Sequence, residues 1–322
     1  MEFTDKVYIT SNKGMVGSEL YNELRYLGFT NIISKTKHEL DLRDQQKVKE
    51  FFEKEKPDYV FITSAKVGGI MDNKTKKAEY YYDNNMINTN VIHYSHVYGV
   101  KKLLFLGSSC IYPKFAKQPI KEDSLMTGQL ESTNDAYAMA KISGIKMCQA
   151  YREQYGSNFI SAMPTNLYGN LRDNYDLESS HVLPGMIRKF HIARKFNKCV
   201  ELWGSGTPLR EFLHVNDLVK ALIFLMLNYN EPEHINIGSN DEVSIAELSR
   251  IIAAATGYDG EIIWQSDKPD GTPRKALDSS KILNMGWKPK IKLRSGILYL
   301  YAKLLEKHEL FKDNLTDVPY SC

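Results

Sequence analysis

The sequence predicts an α/β fold: a Rossmann-like doubly wound parallel sheet with a smaller C-terminal α/β substrate domain. Short apolar runs typical of buried strands alternate with longer segments of helical periodicity, which is the pattern of a parallel sheet. The first apolar run, 6–10, is followed by a glycine-containing turn, 11–17, and by helical periodicity over 17–27. This order is typical of a nucleotide-binding βα unit. We therefore expect a ligand site beyond the carboxyl ends of the strands.

Size and charge narrow the class of protein. The chain has 322 residues and a formal net charge of +3, from 42 Lys plus Arg and 39 Asp plus Glu. This near balance gives no general attraction to nucleic acid or membrane, although a local basic pocket remains open. Neither a leader-like N-terminus nor an apolar run of about 18 residues is present, so we expect a cytoplasmic protein.

Cysteine and histidine usage indicates neither disulfides nor a metal site. The eight His residues form no paired-ligand pattern. The cysteines are scattered without metal or disulfide spacing, which suits a reducing compartment; they are Cys110, Cys148, Cys199 and Cys322. We expect no bound metal.

The turn after the first strand is the candidate cofactor site. Its residues are Ser11, Asn12, Lys13, Gly14, Met15, Val16 and Gly17. Glycines in such a turn let the backbone approach a pyrophosphate at the helix N-terminus, but Ser11 stands where the usual pattern has its first glycine. An ordinary βα turn is the alternative.

The second strand, 31–34, indicates which dinucleotide is bound. It ends without the acidic residue that would bind an NAD ribose and runs instead into Lys35 and Lys37. Together with Lys13, these cations favour NADP(H), because they can surround a 2′-phosphate. Solvated surface lysines are the alternative.

The remaining pattern predicts further elements and two domains. An amphipathic helix over 44–56 stops before Pro57, and a helix over 243–256 opens with a capping box of Ser244 and Glu247. Apolar runs predict buried strands over 59–62, 102–106 and 158–163, and a returning strand over 234–238. We expect a nucleotide domain, 1–169 with the return of 210–240, and a substrate domain, 170–209 and 241–310, with mobile segments over 170–180 and 311–322.

The candidate catalytic residues come from two segments. Tyr137 and Lys141 are four residues apart and so share one helix face. An ammonium beside a phenol favours the phenolate, so we expect the pKa of Tyr137 to be lowered toward neutrality. Ser108 and Cys110 follow the strand 102–106, where they would meet a substrate from the other side.

With these segments in view, the chain resembles the extended short-chain dehydrogenase/reductase family, and more closely its GDP-L-fucose synthase group. The resembling segments are 14–18 (GMVGS), 65–70 (AKVGGI), 106–113 (LGSSCIYP), 137–141 (YAMAK), 164–169 (PTNLYG), 180–184 (SHVLP), 203–215 (WGSGTPLREFLHV) and 268–275 (KPDGTPRK). This resemblance runs through almost the whole chain. It implies an NADP-dependent oxidoreductase with epimerase activity, acting on GDP-4-keto-6-deoxy-D-mannose at C3, C5 and C4.

The resemblance also implies residue roles. Tyr137 would protonate O4 during reduction, Lys141 would bind the nicotinamide ribose, and Ser108 would hold the ketone oxygen. Cys110 and His181 would form the epimerisation pair, since inversion needs a base on one face and an acid on the other. From the residues alone, His181 reads more readily as a structural histidine, and Cys110 as either buried filler or a functional thiol.

Ligand contacts are implied in the same way. Cofactor contacts are expected from the turn 11–17, from Lys35, Lys37, Asp41 and Leu42, from Leu106, Gly107, Ser108 and Ser109, from Lys141, from Pro164, Thr165, Asn166 and Leu167, and from His181. Substrate contacts are expected from Lys189, Trp203, Arg210, Asp270 and Lys275. Arg210 and Lys275 would balance a diphosphate, with an Arg210–Glu211 ion pair as the alternative. The helix that carries Tyr137 is expected to pair with its copy in a homodimer.

Other functions remain as alternatives. A C4-only reductase of a related GDP-4-keto-deoxy sugar, such as a 6-deoxy-heptose, would not need both Cys110 and His181. An epimerase/reductase that forms a colitose precursor would share the whole set. A 4,6-dehydratase is disfavoured by the segment 108–110, and a non-catalytic NADP-sensing module would not need Tyr137 as a proton donor.

Overall fold

The computed structural model describes residues 1–173, 175, 180–268 and 270–307, without the side chains of residues 70 and 71. The predicted tail 311–322 and residues 174 and 176–179 of the polar segment lie outside the described residues. In the described part of the chain, no helix combines the length and apolar character needed to cross a membrane.

Strands and helices alternate along most of the chain. The strands are β1 (Val7–Ile9), β2 (Ile32–Ser34), β3 (Tyr59–Ile62), β4 (Lys102–Leu106), β5 (Phe159–Pro164), β6 (Asn166–Tyr168), β7 (Val200–Trp203), β8 (Leu209–His214), β9 (Ile235–Ile237), β10 (Glu242–Ser244), β11 (Ile262–Gln265) and β12 (Arg274–Lys275). The helices are α1 (Met15–Tyr26), α2 (Gln45–Glu55), α3 (Ile70–Thr75), α4 (Lys77–Val97), α5 (Asp135–Tyr155), α6 (Val182–Phe196), α7 (Val215–Asn228), α8 (Ile245–Thr256), α9 (Ser280–Asn284) and α10 (Leu293–Glu306).

A six-stranded parallel sheet with the order β2-β1-β3-β4-β5-β9 is the centre of the fold. The order reverses between β1 and β3, which is where open α/β sheets bind ligands. The predicted doubly wound parallel sheet is therefore confirmed. The short strand β9 joins the sheet beside β5, as the returning apolar run predicted. The boundaries of the two domains stay a prediction.

Both faces of this sheet are covered by helices, which explains why its inner strands are continuous apolar runs. On one face, Leu20 of α1 and Leu222 of α7 pack over β1 and β9. On the other face, Phe52 of α2, Val91 of α4 and Ile145 of α5 pack over β3 and β4. These layers fix the carboxyl ends of the strands at one edge of the sheet.

The second part of the chain is built around β8. This strand pairs in parallel with β6 and β12 and antiparallel with β10, while β7 pairs with β11. Leu183 of α6, Leu248 of α8 and Ile297 of α10 form its apolar core. The register of β8 and β12 places Arg210 beside Lys275.

Local signals set some boundaries correctly and others only approximately. Ser244 and Glu247 form the predicted capping box, but α8 begins at Ile245 because residues 242–244 pair with β8 as β10. Helix α2 ends at Glu55, and Lys56 adopts a left-handed conformation before Pro57.

One sequence-based expectation about cysteines is wrong. Cys199 is disulfide-bonded. Cys110 and Cys148 are free thiols. Sequence spacing could not predict this bond, because pairing depends on which distant segments fold together.

Candidate active site

The turn between β1 and α1 is locked to the neighbouring strand β3. The hydroxyl of Thr10 accepts hydrogen bonds from the backbone N–H groups of Thr63 and Ser64, both at 3.0 Å. The hydroxyl of Thr63 donates to the carbonyl of Ser11 at 3.2 Å. A Cβ on Gly17 would overlap that same carbonyl, so only glycine fits there. The turn is therefore held closed across the point where the strand order reverses.

This turn fits a dinucleotide pyrophosphate. Helix α1 begins without a side-chain cap and without an acidic residue in its first turn, which leaves its N-terminal N–H groups available to an anion. Gly14 faces open space, where a Cβ would meet no atom within 4 Å. Ser11 is tolerated because its backbone does not take a positive φ.

Two of the three predicted phosphate-binding lysines come together. A hydrogen bond from the backbone of Thr36 is the main reason that the pKa of the Glu39 carboxyl is lowered. The charges of Lys35 and Lys13 lower this pKa further. Lys35 lies 4.0 Å from Glu39. The sequence argument missed this carboxylate, which offsets part of the positive charge.

Lys37 lies instead near Asp41. The Asp41 carboxylate is already held by Arg43, and this contact is the main reason that its pKa falls to about 2. Leu42, the next predicted cofactor contact, is buried, and its carbonyl accepts from Asn90 at 2.9 Å. The Asp41 side chain is therefore committed to Arg43.

The loop after β3 is fastened beside the candidate catalytic tyrosine. The Asn84 side chain forms two hydrogen bonds with the backbone of Lys66. It accepts from the N–H at 2.8 Å and donates to the carbonyl at 3.1 Å. The Tyr80 hydroxyl donates to Asp72 at 2.5 Å, and its ring packs edge-on against Tyr137 with centroids 6.4 Å apart. Helix α4 thus positions this loop against α5.

Ser108 and Cys110 lie in a short 3₁₀ turn at the end of β4. The Ser108 hydroxyl accepts from the N–H of Cys110 at 3.4 Å, capping the turn that spans Ser109–Ile111. Cys110 is buried, with 8% of its surface exposed. Leu106, Gly107 and Ser109 line the same strand end, at the edge where the fold predicts a ligand.

Tyr137 and Lys141 share α5, but their electrostatics differ from the expectation. Burial raises the pKa of Tyr137 well above its usual value, so the predicted lowering is wrong for the protein alone. Lys141 donates to the carbonyl of Leu106 at 2.8 Å, with its ammonium 5.8 Å from the centroid of the Tyr137 ring. Burial lowers the pKa of Lys141 to about 8. The Lys141 ammonium is thus committed to the Leu106 carbonyl.

Lys275 links the two residues of the predicted epimerisation pair. Burial raises the pKa of the Cys110 thiol, and the charge of Lys275 is the largest influence opposing it, ahead of Lys141. His181 precedes α6 as its N-cap residue. Desolvation of the imidazole ring lowers the pKa of His181, and the charge of Lys275 lowers it further. Three strand and helix ends thus bring Cys110, His181 and Lys275 into one electrostatic environment.

The predicted diphosphate contacts are desolvated cations. Arg210 donates to the carbonyls of Leu209 and Thr272 at 2.8 and 2.6 Å, and burial lowers its pKa. Glu211 does not pair with it: that buried carboxylate accepts from the N–H groups of Asn240 and Leu277. The alternative of an Arg210–Glu211 ion pair is therefore wrong.

Lys189 is less available than the other predicted substrate residues. It lies on α6, where its ammonium donates to the Glu201 carbonyl at 3.0 Å, and burial lowers its pKa.

Trp203 and Asp270 belong to one loop structure. Trp203 ends β7 and is 67% exposed. Asp270 accepts from both the N–H and the hydroxyl of Ser205, at 2.9 and 2.7 Å, and so fixes the turn that follows Trp203. Gly204 has a φ of 77°, a conformation that suits glycine. Asp270 is thus placed to act through the position of the Trp203 loop.

The segment after β6 reaches back to the cofactor turn. Thr165 and Asn166 both donate to the carbonyl of Glu211, at 3.3 and 3.0 Å, which joins the end of β5 to β8. Further on, Arg172 donates to the carbonyl of Asn12 at 2.9 Å. The sequence argument missed Arg172, because nothing in the local pattern distinguishes it from a surface arginine.

Comparison with known proteins agrees with this geometry. Residues 7–238 match the model of the NAD dependent epimerase/dehydratase family. The chain is 53% identical over 307 residues to a putative GDP-L-fucose synthase 2 of Arabidopsis thaliana, covering 95% of this chain and 93% of the relative. It is 51% identical over 313 residues to a GDP-L-fucose synthase of Sinorhizobium fredii, covering 97% of each.

Among solved structures, a GDP-mannoheptose C4 reductase from Campylobacter jejuni with NADP bound is similar to the chain. Its TM-score is 0.86 at 39% identity, and the match covers 94% of this chain and 99% of that one. The chain belongs to the NAD dependent epimerase/dehydratase family and, within it, to the group of GDP-L-fucose synthases.

Proposed function

We propose that the chain catalyses the NADPH-dependent 3,5-epimerisation and 4-reduction of GDP-4-keto-6-deoxy-D-mannose to GDP-L-fucose. The observation that carries this proposal is the joint environment of Cys110, His181 and Lys275 beside Tyr137 and Lys141. A reductase needs only Tyr137 and Lys141. Cys110 and His181 supply a separate pair of proton-transferring side chains.

Epimerisation uses the acidity that the C4 ketone gives to the neighbouring C3 and C5 protons. Cys110, as a thiolate, removes such a proton from one face, and His181 returns a proton from the other. The thiolate needs support because burial disfavours it, and the charge of Lys275 is the largest influence that opposes this effect. Ser108 orients the ketone by donating a hydrogen bond from its hydroxyl to O4.

Reduction uses Tyr137 and Lys141. NADPH supplies the hydride that C4 receives. Tyr137 delivers the proton to O4, and its raised pKa keeps the phenol protonated until the oxygen becomes basic. Lys141 fixes the ribose of the cofactor from its place beside Leu106. The turn Ser11 to Gly17, together with Lys13 and Lys35, holds the phosphates.

The substrate diphosphate lies between Arg210 and Lys275, which pair on adjacent strands. Trp203 offers an exposed ring to the nucleotide part, and Asp270 contributes by fixing the loop after Trp203. Lys189 adds charge at the edge of the site.

The test is oxidation of NADPH with GDP-4-keto-6-deoxy-D-mannose, with the product sugar identified by NMR. GDP-L-fucose is the expected product. A reduced but unepimerised sugar would establish the C4-only reductase instead. That second candidate is favoured by the similarity to the heptose C4 reductase. Absence of oxidation would contradict both.

We further propose that the protein acts in the cytoplasm as a homodimer. The free thiols of Cys110 and Cys148 support the first part. The exposed apolar residues Tyr81 and Tyr82 on α4 and Met139 on the adjacent α5 support the second.

A further inference from the structure

A buried polar network lies directly behind the Cys110 turn. The Tyr112 hydroxyl donates to the Asn236 side-chain oxygen at 2.5 Å and lies 2.9 Å from Nε2 of His234. Tyr112 is 3% exposed and Asn236 is fully buried. Tyr112 follows Cys110 by two residues, whereas Asn236 lies on β9, the last strand of the central sheet. The network therefore ties the thiol-bearing turn to the sheet.

The same asparagine holds two further segments. Its side-chain amide donates to the carbonyls of Ile120 and Asp278, at 3.0 and 3.2 Å, and its backbone N–H donates to the Glu122 carboxylate at 3.0 Å. Ile120 also forms backbone hydrogen bonds with Ala276 and Asp278, at 2.9 and 2.8 Å. Asn236 thus stands at the junction of the segments around 112, 120 and 278.

One of these segments carries Lys275. It lies on β12 immediately before Ala276, so the position of its ammonium depends on the junction. Among the described residues, the structure gives this ammonium no hydrogen bond or ion pair, although burial lowers its pKa. Its charge reaches Cys110, with Lys141 and Tyr137 of α5 facing the same thiol. The Lys275 side chain is half-buried, and the charges that act on it besides Cys110 are Arg210 and Glu131. A partly desolvated cation of this kind stabilises a nearby anion.

We propose that Asn236 and Tyr112 are positioning residues that hold the Cys110 turn against the Lys275 strand, so that the Lys275 ammonium stabilises the Cys110 thiolate. The catalytic meaning of this arrangement rests on the proposed function, in which that thiolate is the epimerisation base. The arrangement itself is a property of the protein without substrate.

The test measures the titration of Cys110 directly. Protein is labelled with ¹³C at the cysteine Cβ, and the Cys110 resonance, assigned by its loss in Cys110→Ser, is followed from about pH 6 to 11. In Tyr112→Phe and in Lys275→Gln, the titration midpoint should rise by about one pH unit, a roughly tenfold fall in thiolate below the midpoint. In the double variant, the shift should be smaller than the sum, because both changes act on one interaction.

Tyr8→Phe is the matched control. Tyr8 is also fully buried, but its hydroxyl has no hydrogen-bond partner, so its removal should leave the Cys110 midpoint unchanged. An unchanged midpoint in Tyr112→Phe or Lys275→Gln would overturn the proposal, as would fully additive shifts. If Tyr112→Phe does not fold, Asn236→Ser decides in its place, because it removes the same hydrogen bond. A raised midpoint in Asn236→Ser supports the proposal, and an unchanged one overturns it.

This readout is independent of the substrate. Shifted midpoints in a protein that makes no GDP-L-fucose would contradict the proposed function alone. Unshifted midpoints in an active epimerase would contradict only the positioning network.

Discussion

At the scale of single residues, spacing predicted the shared helix of Tyr137 and Lys141 but not the electrostatics of these two side chains. Tyr137 and Lys141 do share a helix, as four-residue spacing predicts. Burial nonetheless raises the pKa of Tyr137. Lys141 is held by the Leu106 carbonyl, which lies 35 residues away in the sequence. Burial and distant partners set a pKa, and neither can be read from a local pattern.

Lys141 should affect how the unfolding free energy of the protein depends on pH. Its pKa falls from 10.5 to about 8 on folding, so between these values the unfolded chain binds a proton that the folded protein does not. The unfolding free energy of the native protein, relative to that of Lys141→Met, should therefore rise by about 1 kcal/mol per pH unit over this range. Urea unfolding at several pH values measures it. A difference that is flat or falls with pH would contradict the lowered pKa.

Removing the charge of Glu39 and removing the charges of the lysines should change the preference for NADPH over NADH in opposite directions. Lys13→Ala with Lys35→Ala should narrow the preference for NADPH over NADH by about tenfold, because charge at the 2′-phosphate is lost. Glu39→Gln should widen the preference, since its carboxylate opposes the same charges. Ratios of kcat/KM for the two cofactors test both changes.

Lys47→Ala, on the exposed side of α2, is the control for that experiment. An undiminished preference in the lysine double variant would place 2′-phosphate recognition elsewhere.

At the scale of elements, the sequence predicted the strands of the central sheet and the helices α1, α2 and α5 around it, because buried parallel strands and amphipathic helices leave strong local patterns. It missed β6, β7, β8, β10, β11 and β12. The strands β10 and β12 are three and two residues long and exist only through pairing with β8, so no local signal marks them. The candidate site depends on this second kind of element, since β12 carries Lys275.

Substitutions at the two glycines of the turn 11–17 test how closely this turn is packed. In Gly17→Ala, the new Cβ would overlap the Ser11 carbonyl, so the turn must open and the unfolding free energy should fall by about 1–3 kcal/mol, with loss of NADPH binding. Gly14→Ala is the matched variant, because its Cβ meets open space and φ is −79°. Its stability should stay within about 0.5 kcal/mol of the native protein.

NADPH binding separates the two variants further. If a pyrophosphate occupies the space at Gly14, Gly14→Ala should weaken NADPH binding without loss of stability. Thermal unfolding and fluorescence titration measure the two properties. Equal stability of both variants would contradict the overlap at Gly17.

At the scale of the whole molecule, the site is assembled from segments that the sequence keeps far apart. Tyr112 and Asn236 are 124 residues apart, and Arg172 reaches the turn at Asn12 across 160 residues. Such contacts follow from topology, not from periodicity. Resemblance to a family supplied the identities of Cys110 and His181 as a pair, whereas the part played by Asn236 emerged only from the fold.

Dimer formation is the whole-molecule prediction. Tyr82→Glu with Met139→Glu should convert a native dimer to a monomer, because charges would replace apolar surface on α4 and α5. Sedimentation velocity measures the outcome. Leu298→Glu, at an equally exposed apolar position on α10, should leave the dimer intact. A native chain that sediments as a monomer would contradict the proposal.

The central claim is that one site performs two separable steps, with Cys110 serving epimerisation and Tyr137 serving reduction. The direct measurement follows deuterium uptake at C3 and C5 alongside NADPH oxidation, in heavy water, with Cys110→Ser and Tyr137→Phe. Tyr137→Phe should keep deuterium uptake and lose oxidation by about 10²-fold or more, while Cys110→Ser should lose uptake. Normal uptake in Cys110→Ser, or unchanged oxidation in Tyr137→Phe, would contradict the account.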